Sequence, residues 1–125
     1  ITIKLKKSQK KYRTARFCIS IKLSKFNYFI KNYSGELTHF ASALSDESGI
    51  QLDAFTTMQC FEFYTGSYHD VNAAGKCHVP IKNYYGFCLE PQFAPNAVNS
   101  DNLIKPLLQR GDIFTADTIY EFSHV

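Results

Sequence analysis

Residues 37–44 (LTHFASAL), 45–49 (SDESG) and 51–57 (QLDAFTT) decide the fold of this chain. The first and third segments are rich in apolar, aromatic and β-branched side chains, which favour strands. The middle segment holds small and acidic residues and ends in Gly49, which is typical of a tight turn. The pattern predicts an antiparallel hairpin in which residues 51–57 pair with residues 37–44.

Strand signals continue on both sides of this hairpin. Residues 1–6 alternate between apolar and polar types, and residues 17–24 do the same, as half-buried strands do. Residues 7–13 interrupt that pattern as a charged turn or disordered stretch, and residues 26–30 continue as an extended segment. Downstream we predict a strand, a surface loop, a strand, an irregular segment and a last strand at residues 61–65, 66–80, 81–89, 91–106 and 113–123.

No apolar stripe with helical spacing persists over three turns. Short strands separated by turn residues are typical of two packed antiparallel sheets. We therefore predict an all-β protein, an antiparallel β-sandwich, in a single domain, because 125 residues suffice for one core.

The charge is divided sharply along the chain. Residues 1–35 contain ten Lys or Arg and no acidic residue, whereas residues 36–125 contain four basic and eleven acidic residues. A basic arm can bind nucleic acid, but no nucleic-acid motif is present, and several lysines alternate with apolar residues as solvent-facing strand positions do. No apolar run reaches the ~18 residues that a membrane helix needs. We expect neither a nucleic-acid nor a membrane partner.

The four cysteines (Cys18, Cys60, Cys77 and Cys88) have no C-x-x-C spacing. An even number permits disulfides, but without a secretory signal we expect free thiols in a reducing compartment, the cytoplasm. Cys77, His78 and His69 fit no zinc-ligand spacing, so we predict no metal site.

Three stretches, in order, carry a likeness to a known family. Residues 52–57 and 61–66 read LDAFTT and FEFYTG, residues 86–92 read GFCLEPQ, and the segment from Pro95 to Phe122 contains PNAVN, PLL and TIYEF. They resemble the patterns LEVYTT…QFYTG, GFCLETQ and PDAVN…P.LL…T.Y.F of the aldose 1-epimerase (galactose mutarotase) family. One such stretch is weak, but together they make a specific match over residues 36–123.

The resemblance implies a galactose mutarotase-like supersandwich, of which residues 21–125 form an incomplete, C-terminal part after an unassigned basic segment, residues 1–20. It implies interconversion of the α and β anomers of a free hexose, galactose or glucose, with no metal or organic cofactor. Glu90 stands at the family's catalytic glutamate, and Glu62 stands where the family has a sugar-binding glutamine. The other predicted substrate contacts are Cys88 and the aromatic residues Phe63 and Tyr64, which either form an apolar wall against the C–H face of the sugar or belong to the core of the sandwich.

Upstream the chain departs from the family pattern. Residues 25–28 read KFNY where the family has DHNY, so Lys25 replaces a sugar-binding aspartate, and the family's HTYFNL motif with its general-acid histidine is absent. His69 and His78 lie in a predicted loop, where a solvated histidine is the default, although either is a candidate substitute acid. We expect weak or no activity from this chain alone, and the alternative is a non-catalytic carbohydrate-binding module.

Glu90 also suits the role of a base on its own residues. It follows Gly-Phe-Cys-Leu, an apolar and aromatic neighbourhood that would remove water from a carboxylate. Pro91 would end strand pairing there, and on a regular strand Cys88 shares the face of Glu90 while Phe87 and Leu89 point away. The local sequence equally permits a strand-end carboxylate that only accepts hydrogen bonds from backbone amides.

Overall fold

The structure, a computed structural model, describes residues 2–5, 13–16, 25–68 and 74–125, with the backbone alone at residues 2–5 and 13–16. The strands, in chain order, are β1 (Thr2–Leu5), β2 (Arg13–Arg16), β3 (Lys25–Phe29), β4 (Thr38–Leu44), β5 (Ile50–Thr56), β6 (Cys60–Tyr64), β7 (Cys88–Gln92) and β8 (Thr118–His124). Short 3-10 turns lie at Lys76–His78 and Ala97–Asn99.

Two antiparallel sheets contain all of these strands. One has five strands in the order β2-β1-β4-β5-β8, and the other has three in the order β3-β6-β7. The predicted hairpin is the β4–β5 pair, closed by backbone hydrogen bonds between Ser45 and both Gly49 and Ile50. Gly49 has a φ of +68°, the left-handed conformation that glycine adopts without steric cost.

The two sheets pack face to face on one apolar core. Phe40, Ala41, Ala43 and Ala54 of the five-stranded sheet meet Phe61, Phe63 and Leu89 of the three-stranded sheet, all of them buried. The small alanines on one side leave room for aromatic rings from the other, which is how facing layers interdigitate. The rings of Phe40 and Phe61 lie 4.5 Å apart, centroid to centroid. The prediction of an all-β antiparallel sandwich is confirmed.

Two predicted strands are shorter than expected. Residues 81–87 form a turn and irregular backbone before β7, and Tyr84 has a φ of +66°, which no regular strand accommodates. Residues 113–117 are likewise irregular, and β8 begins only at Thr118.

The N-terminal predictions are tested only in part. β1 confirms the strand expected in residues 1–6, and it pairs with β4, so this part of the basic segment belongs to the larger sheet. β2 is a strand that the sequence analysis missed. The alternating stretch at residues 17–24 lies outside the described residues, as do residues 6–12.

Candidate functional site

The outer surface of the three-stranded sheet carries a group of polar side chains that we call the polar face. Alternation along each strand places one set of side chains toward the core and the other toward solvent. The polar face is formed by Lys25, Asn27, Glu62, Tyr64, Cys88, Glu90 and Gln92. Two of the predicted site residues, Glu62 and Glu90, are direct cross-strand neighbours on β6 and β7. The fold thus brings these two carboxylates together.

Glu62 is held by side chains on both of its oxygens. The Lys25 ammonium forms an ion pair with one oxygen at 3.2 Å, and the Asn27 amide donates a hydrogen bond to the other at 3.3 Å. Gln92 in turn donates a hydrogen bond to the Asn27 carbonyl oxygen. This network crosses all three strands, so the Glu62 carboxylate has a fixed orientation.

Lys25 is the positively charged member of this network. Its ammonium lies 5.4 Å from the centroid of the Tyr64 ring, a cation–π distance. The hydrogen bond from Lys25 to Glu62, and the negative charge of Glu62, raise the pKa of the lysine above its ordinary value. Lys25 is therefore fully protonated at neutral pH.

Glu90 is exposed to solvent, so the predicted removal of water from this carboxylate is wrong, whereas the predicted sharing of one strand face with Cys88 is confirmed. The sequence suggested an apolar neighbourhood around this carboxylate, but Leu89 is buried on the other side of the strand and Phe87 packs against the core. Cys88 lies two residues away on the same face of β7, and Glu62 lies directly across on β6. Desolvation raises the pKa of the Cys88 thiol, and the nearby Glu90 carboxylate raises it further.

The expectation that Pro91 ends strand pairing is wrong. β7 continues to Gln92, and Pro91 lies opposite Phe61 in the register. The physical reason is that β7 is the edge strand of its sheet, where a residue without an N–H is tolerated on the open side. Glu90 is therefore held within a paired strand rather than at a frayed end.

Phe63 does not reach the polar face. It is 2% exposed and lies in the core between the sheets, with its ring 6.3 Å from that of Phe87. This burial favours packing in the core, the other role that the sequence allowed for Phe63, and its contact with sugar stays a prediction. Tyr64 does lie on the polar face, where its hydroxyl bonds to the backbone carbonyl and amide of Tyr68, each at 2.9 Å.

One end of the polar face is closed by the chain that follows β7. Cys60, on β6, is fully buried beneath Ala94, Ala97 and Leu103. The Cys60 thiol donates a hydrogen bond to the carbonyl oxygen of Gln92 at 3.2 Å. This irregular segment therefore covers Cys60 beside the end of β7, whereas Glu90 on the same face is exposed.

A second polar cluster lies on the outer surface of the five-stranded sheet. His39 contacts Ser42 at 3.0 Å and Asp53 at 3.1 Å through the same ring nitrogen. A nucleophile relay needs the two partners on different nitrogens of the histidine, so this cluster does not form one. Burial acts to raise the pKa of Asp53, but hydrogen bonds from Ser42, Gln51 and His39 outweigh it and hold the pKa below its ordinary value.

The cysteines within the described residues, Cys60, Cys77 and Cys88, are free thiols, and Cys18 lies outside the described part. In the same part of the chain, no group of three His, Cys, Asp or Glu side chains is arranged to hold a metal ion. The described residues also include no helix long and apolar enough to cross a membrane.

Comparison with known proteins assigns the chain to a family. It belongs to the aldose 1-epimerase family, whose model matches residues 3–121. The chain is 38% identical over 76 residues to galactose mutarotase of Sus scrofa, which is 61% of this chain and 22% of that protein. It is 33% identical over 93 residues to galactose mutarotase of Homo sapiens, 74% of this chain and 25% of that protein. The chain thus spans about a quarter of the length of these relatives.

Sequence reasoning missed the pairing of Lys25 with Glu62. Each residue was noted as a separate departure from the family pattern, one on β3 and one on β6. The signal was available in their charges, because the two departures have opposite sign and compensate each other. Strand alternation at Phe61, Glu62, Phe63 and Tyr64 also assigns the two phenylalanines to one face and the other two residues to the opposite one, as the structure has them.

Proposed function

We propose that the protein containing this chain is an aldose 1-epimerase that interconverts the anomers of galactose or glucose, with Glu90 as the general base. The observation that carries the proposal is the position of Glu90 on the open polar face, directly across from the anchored Glu62. Membership of the aldose 1-epimerase family supports the same reaction.

The proposed chemistry begins at the anomeric hydroxyl. Glu90 takes the proton from that hydroxyl while an acid gives a proton to the ring oxygen, and the C1–O5 bond breaks. The open aldehyde rotates about C1–C2, and the ring closes on the other face as both proton transfers reverse. An exposed carboxylate within a paired strand can reach the hydroxyl of a bound sugar.

Among the described residues, the seven that form the polar face include no histidine that could serve as the acid. None of the strands β3, β6 and β7 carries one, and His39 lies on the other sheet, bonded to Asp53. We therefore expect this chain to bind hexose and to accelerate anomer exchange weakly or not at all. A chain that binds hexose but exchanges its anomers slowly would fit both this proposal and a non-catalytic role. A mutation must therefore separate these two functions.

The experiment combines binding with exchange. The ¹⁵N-labelled chain is titrated with galactose, and anomer exchange is followed by polarimetry and by magnetisation transfer between the two C1 protons. We expect shifts at β6 and β7, and any acceleration above the buffer rate to vanish in Glu90→Gln. The matched control is Glu121→Gln on β8, an exposed strand carboxylate outside the polar face. Acceleration that survives Glu90→Gln would contradict the assignment of the base.

A second candidate function is a non-catalytic carbohydrate-binding module. Lys25 favours it, because the lysine neutralises Glu62 and replaces an acidic family residue with a basic one. Hexose binding to the protein containing this chain, with no anomer exchange above the buffer rate, would single out this alternative.

We also propose that the protein works in the cytoplasm. The exposed free thiols of Cys77 and Cys88 support a reducing compartment, because exposed thiols are readily oxidised elsewhere. The test is to titrate the thiols of the native chain in cell extracts with a chromogenic disulfide reagent, which reacts only with reduced cysteines.

A further inference from the structure

The ion pair on the polar face has two unequal partners. The Lys25 side chain is 61% exposed, whereas the Glu62 side chain is 14% exposed. Both oxygens of Glu62 already accept protein hydrogen bonds, from Lys25 and from Asn27. An ammonium has three N–H donors, and only one is directed at Glu62. Glu62 also has acceptor sites left, since a carboxylate can accept about four hydrogen bonds, but its side chain is largely covered. Lys25 is the member of the pair that presents unused hydrogen-bonding capacity to solvent.

We propose that Lys25 is a specificity-determining residue of this site: positioned by Glu62, its ammonium donates a hydrogen bond to a hydroxyl oxygen of a neutral hexose bound beside Glu90. The inference rests on the proposed function, because it assumes that hexose binds at the polar face. It reverses the role predicted from sequence, in which Glu62 accepted a hydrogen bond from the sugar.

Two features limit the movement of the ammonium. The ion pair to Glu62 fixes it on one side, and the Tyr64 ring lies beneath it at 5.4 Å. A lysine whose long stem is restrained in this way loses less conformational entropy on binding a ligand than a free one does. The raised pKa of Lys25 keeps the donor charged throughout the neutral range.

The charges of the site favour a neutral ligand over an anionic one. Glu62 and Glu90 carry two negative charges against the single positive charge of Lys25, so the face has a net negative charge. A sugar carboxylate or phosphate would gain attraction to the ammonium but would be repelled by both carboxylates. The ligand class is therefore a neutral hexose, recognised through a hydroxyl oxygen that accepts from Lys25.

The test is a cycle of variants against a series of sugars. Affinities of the ¹⁵N-labelled chain for galactose and its 2-, 3-, 4- and 6-deoxy analogues are measured by chemical-shift titration for wild type, Lys25→Met and Glu62→Gln. The matched control is Lys82→Met, because Lys82 is also an exposed lysine over a tyrosine ring, at 5.9 Å from Tyr85. Circular dichroism melts confirm that each variant is folded.

We expect Lys25→Met to weaken galactose binding about tenfold or more, as the loss of a charged hydrogen bond does. One deoxy analogue should bind wild type as weakly as galactose binds Lys25→Met. The affinity of Lys25→Met for that same analogue should be no lower still, because the two changes remove one shared hydrogen bond. Glu62→Gln, which keeps the donor but loses its anchor, should fall between wild type and Lys25→Met, and Lys82→Met should match wild type. Galacturonate should bind wild type more weakly than galactose.

Galactose binding by wild type that Lys25→Met leaves unchanged would overturn the inference and leave the proposed function standing. If the loss of affinity caused by Lys25→Met added to the loss caused by each deoxy sugar, the inference would also be overturned, because a purely structural lysine gives that result. Tighter binding of galacturonate than of galactose would overturn the assignment to a neutral ligand. Wild type that binds no hexose at all would instead refute hexose binding at the polar face, and the inference would fall with it.

Discussion

The replacement of Phe63 by alanine tests how the two sheets are held together. This ring is 2% exposed and lies in the cluster that both sheets share. A phenylalanine removes about 150–250 Å² from water when it is buried. Phe→Ala in a packed core costs about 3–5 kcal/mol, because burial is lost and a cavity is left. Such a loss is a large part of the ~5–15 kcal/mol that stabilises a typical domain.

The matched control is the same substitution at an exposed position. Phe122 on β8 is 73% exposed, so Phe122→Ala removes little buried surface. We expect a cost below about 1 kcal/mol for this variant. Both variants lose the same atoms, so the difference between them isolates burial.

The assay is urea unfolding followed by circular dichroism at two wavelengths, with the free energy of unfolding extrapolated to water. We expect Phe63→Ala to lower the urea midpoint strongly or to be unfolded without urea. Variants that remain folded should show the same dependence of the unfolding free energy on urea concentration as wild type. A free energy of unfolding for Phe63→Ala within about 1 kcal/mol of that for Phe122→Ala would refute the packing of the sheets described above.

Three other predictions concern single contacts. The free energy of unfolding should fall by about 1 kcal/mol as pH falls through the depressed pKa of Asp53, because protonation removes a carboxylate that the fold stabilises. Asp53→Asn should abolish that step. An identical acid profile in the variant would contradict this. Tyr120→Phe should lower the free energy of unfolding in urea by about 1 kcal/mol. The Tyr120 hydroxyl donates a hydrogen bond to the Leu89 carbonyl at 2.6 Å and so links the two sheets. An unchanged midpoint would argue against that link. Gly49→Ala should lower the melting temperature, because its φ is +68° and a Cβ would lie 2.8 Å from the Val125 carbonyl oxygen; a rise would contradict the turn geometry.

The sequence predicts the β4–β5 hairpin well because its determinants are local. The strand partners lie next to each other in the chain, and Gly49 supplies the turn. The start of β7 was predicted too early because residues 81–87 have strand-like aromatic composition. The backbone there is fixed by a longer-range contact, the hydrogen bond from the Tyr84 amide to the Gly66 carbonyl at 2.6 Å.

The candidate site, like the fold, was predictable from the sequence only in part. Glu90 and Glu62 were identified by their motifs, and the register of β6 and β7 brings them together. The solvent exposure of Glu90 was derivable from the sequence, because strand alternation turns Phe87 and Leu89 to the opposite face and leaves no apolar neighbour of the same strand to cover the carboxylate. The Lys25–Glu62 pair depends on the pairing of β3 with β6, which joins residues 37 positions apart and is a property of the tertiary fold.

The central claim, that Glu90 serves as the base of an aldose 1-epimerase, is tested most directly in a chimera. The 76-residue segment of this chain that matches Sus scrofa galactose mutarotase replaces its counterpart in that protein, and anomer exchange of galactose is measured with and without Glu90→Gln. We predict that the folded chimera accelerates exchange and that Glu90→Gln removes the acceleration while galactose still binds. A chimera whose acceleration is the same with glutamine at position 90 would contradict the account.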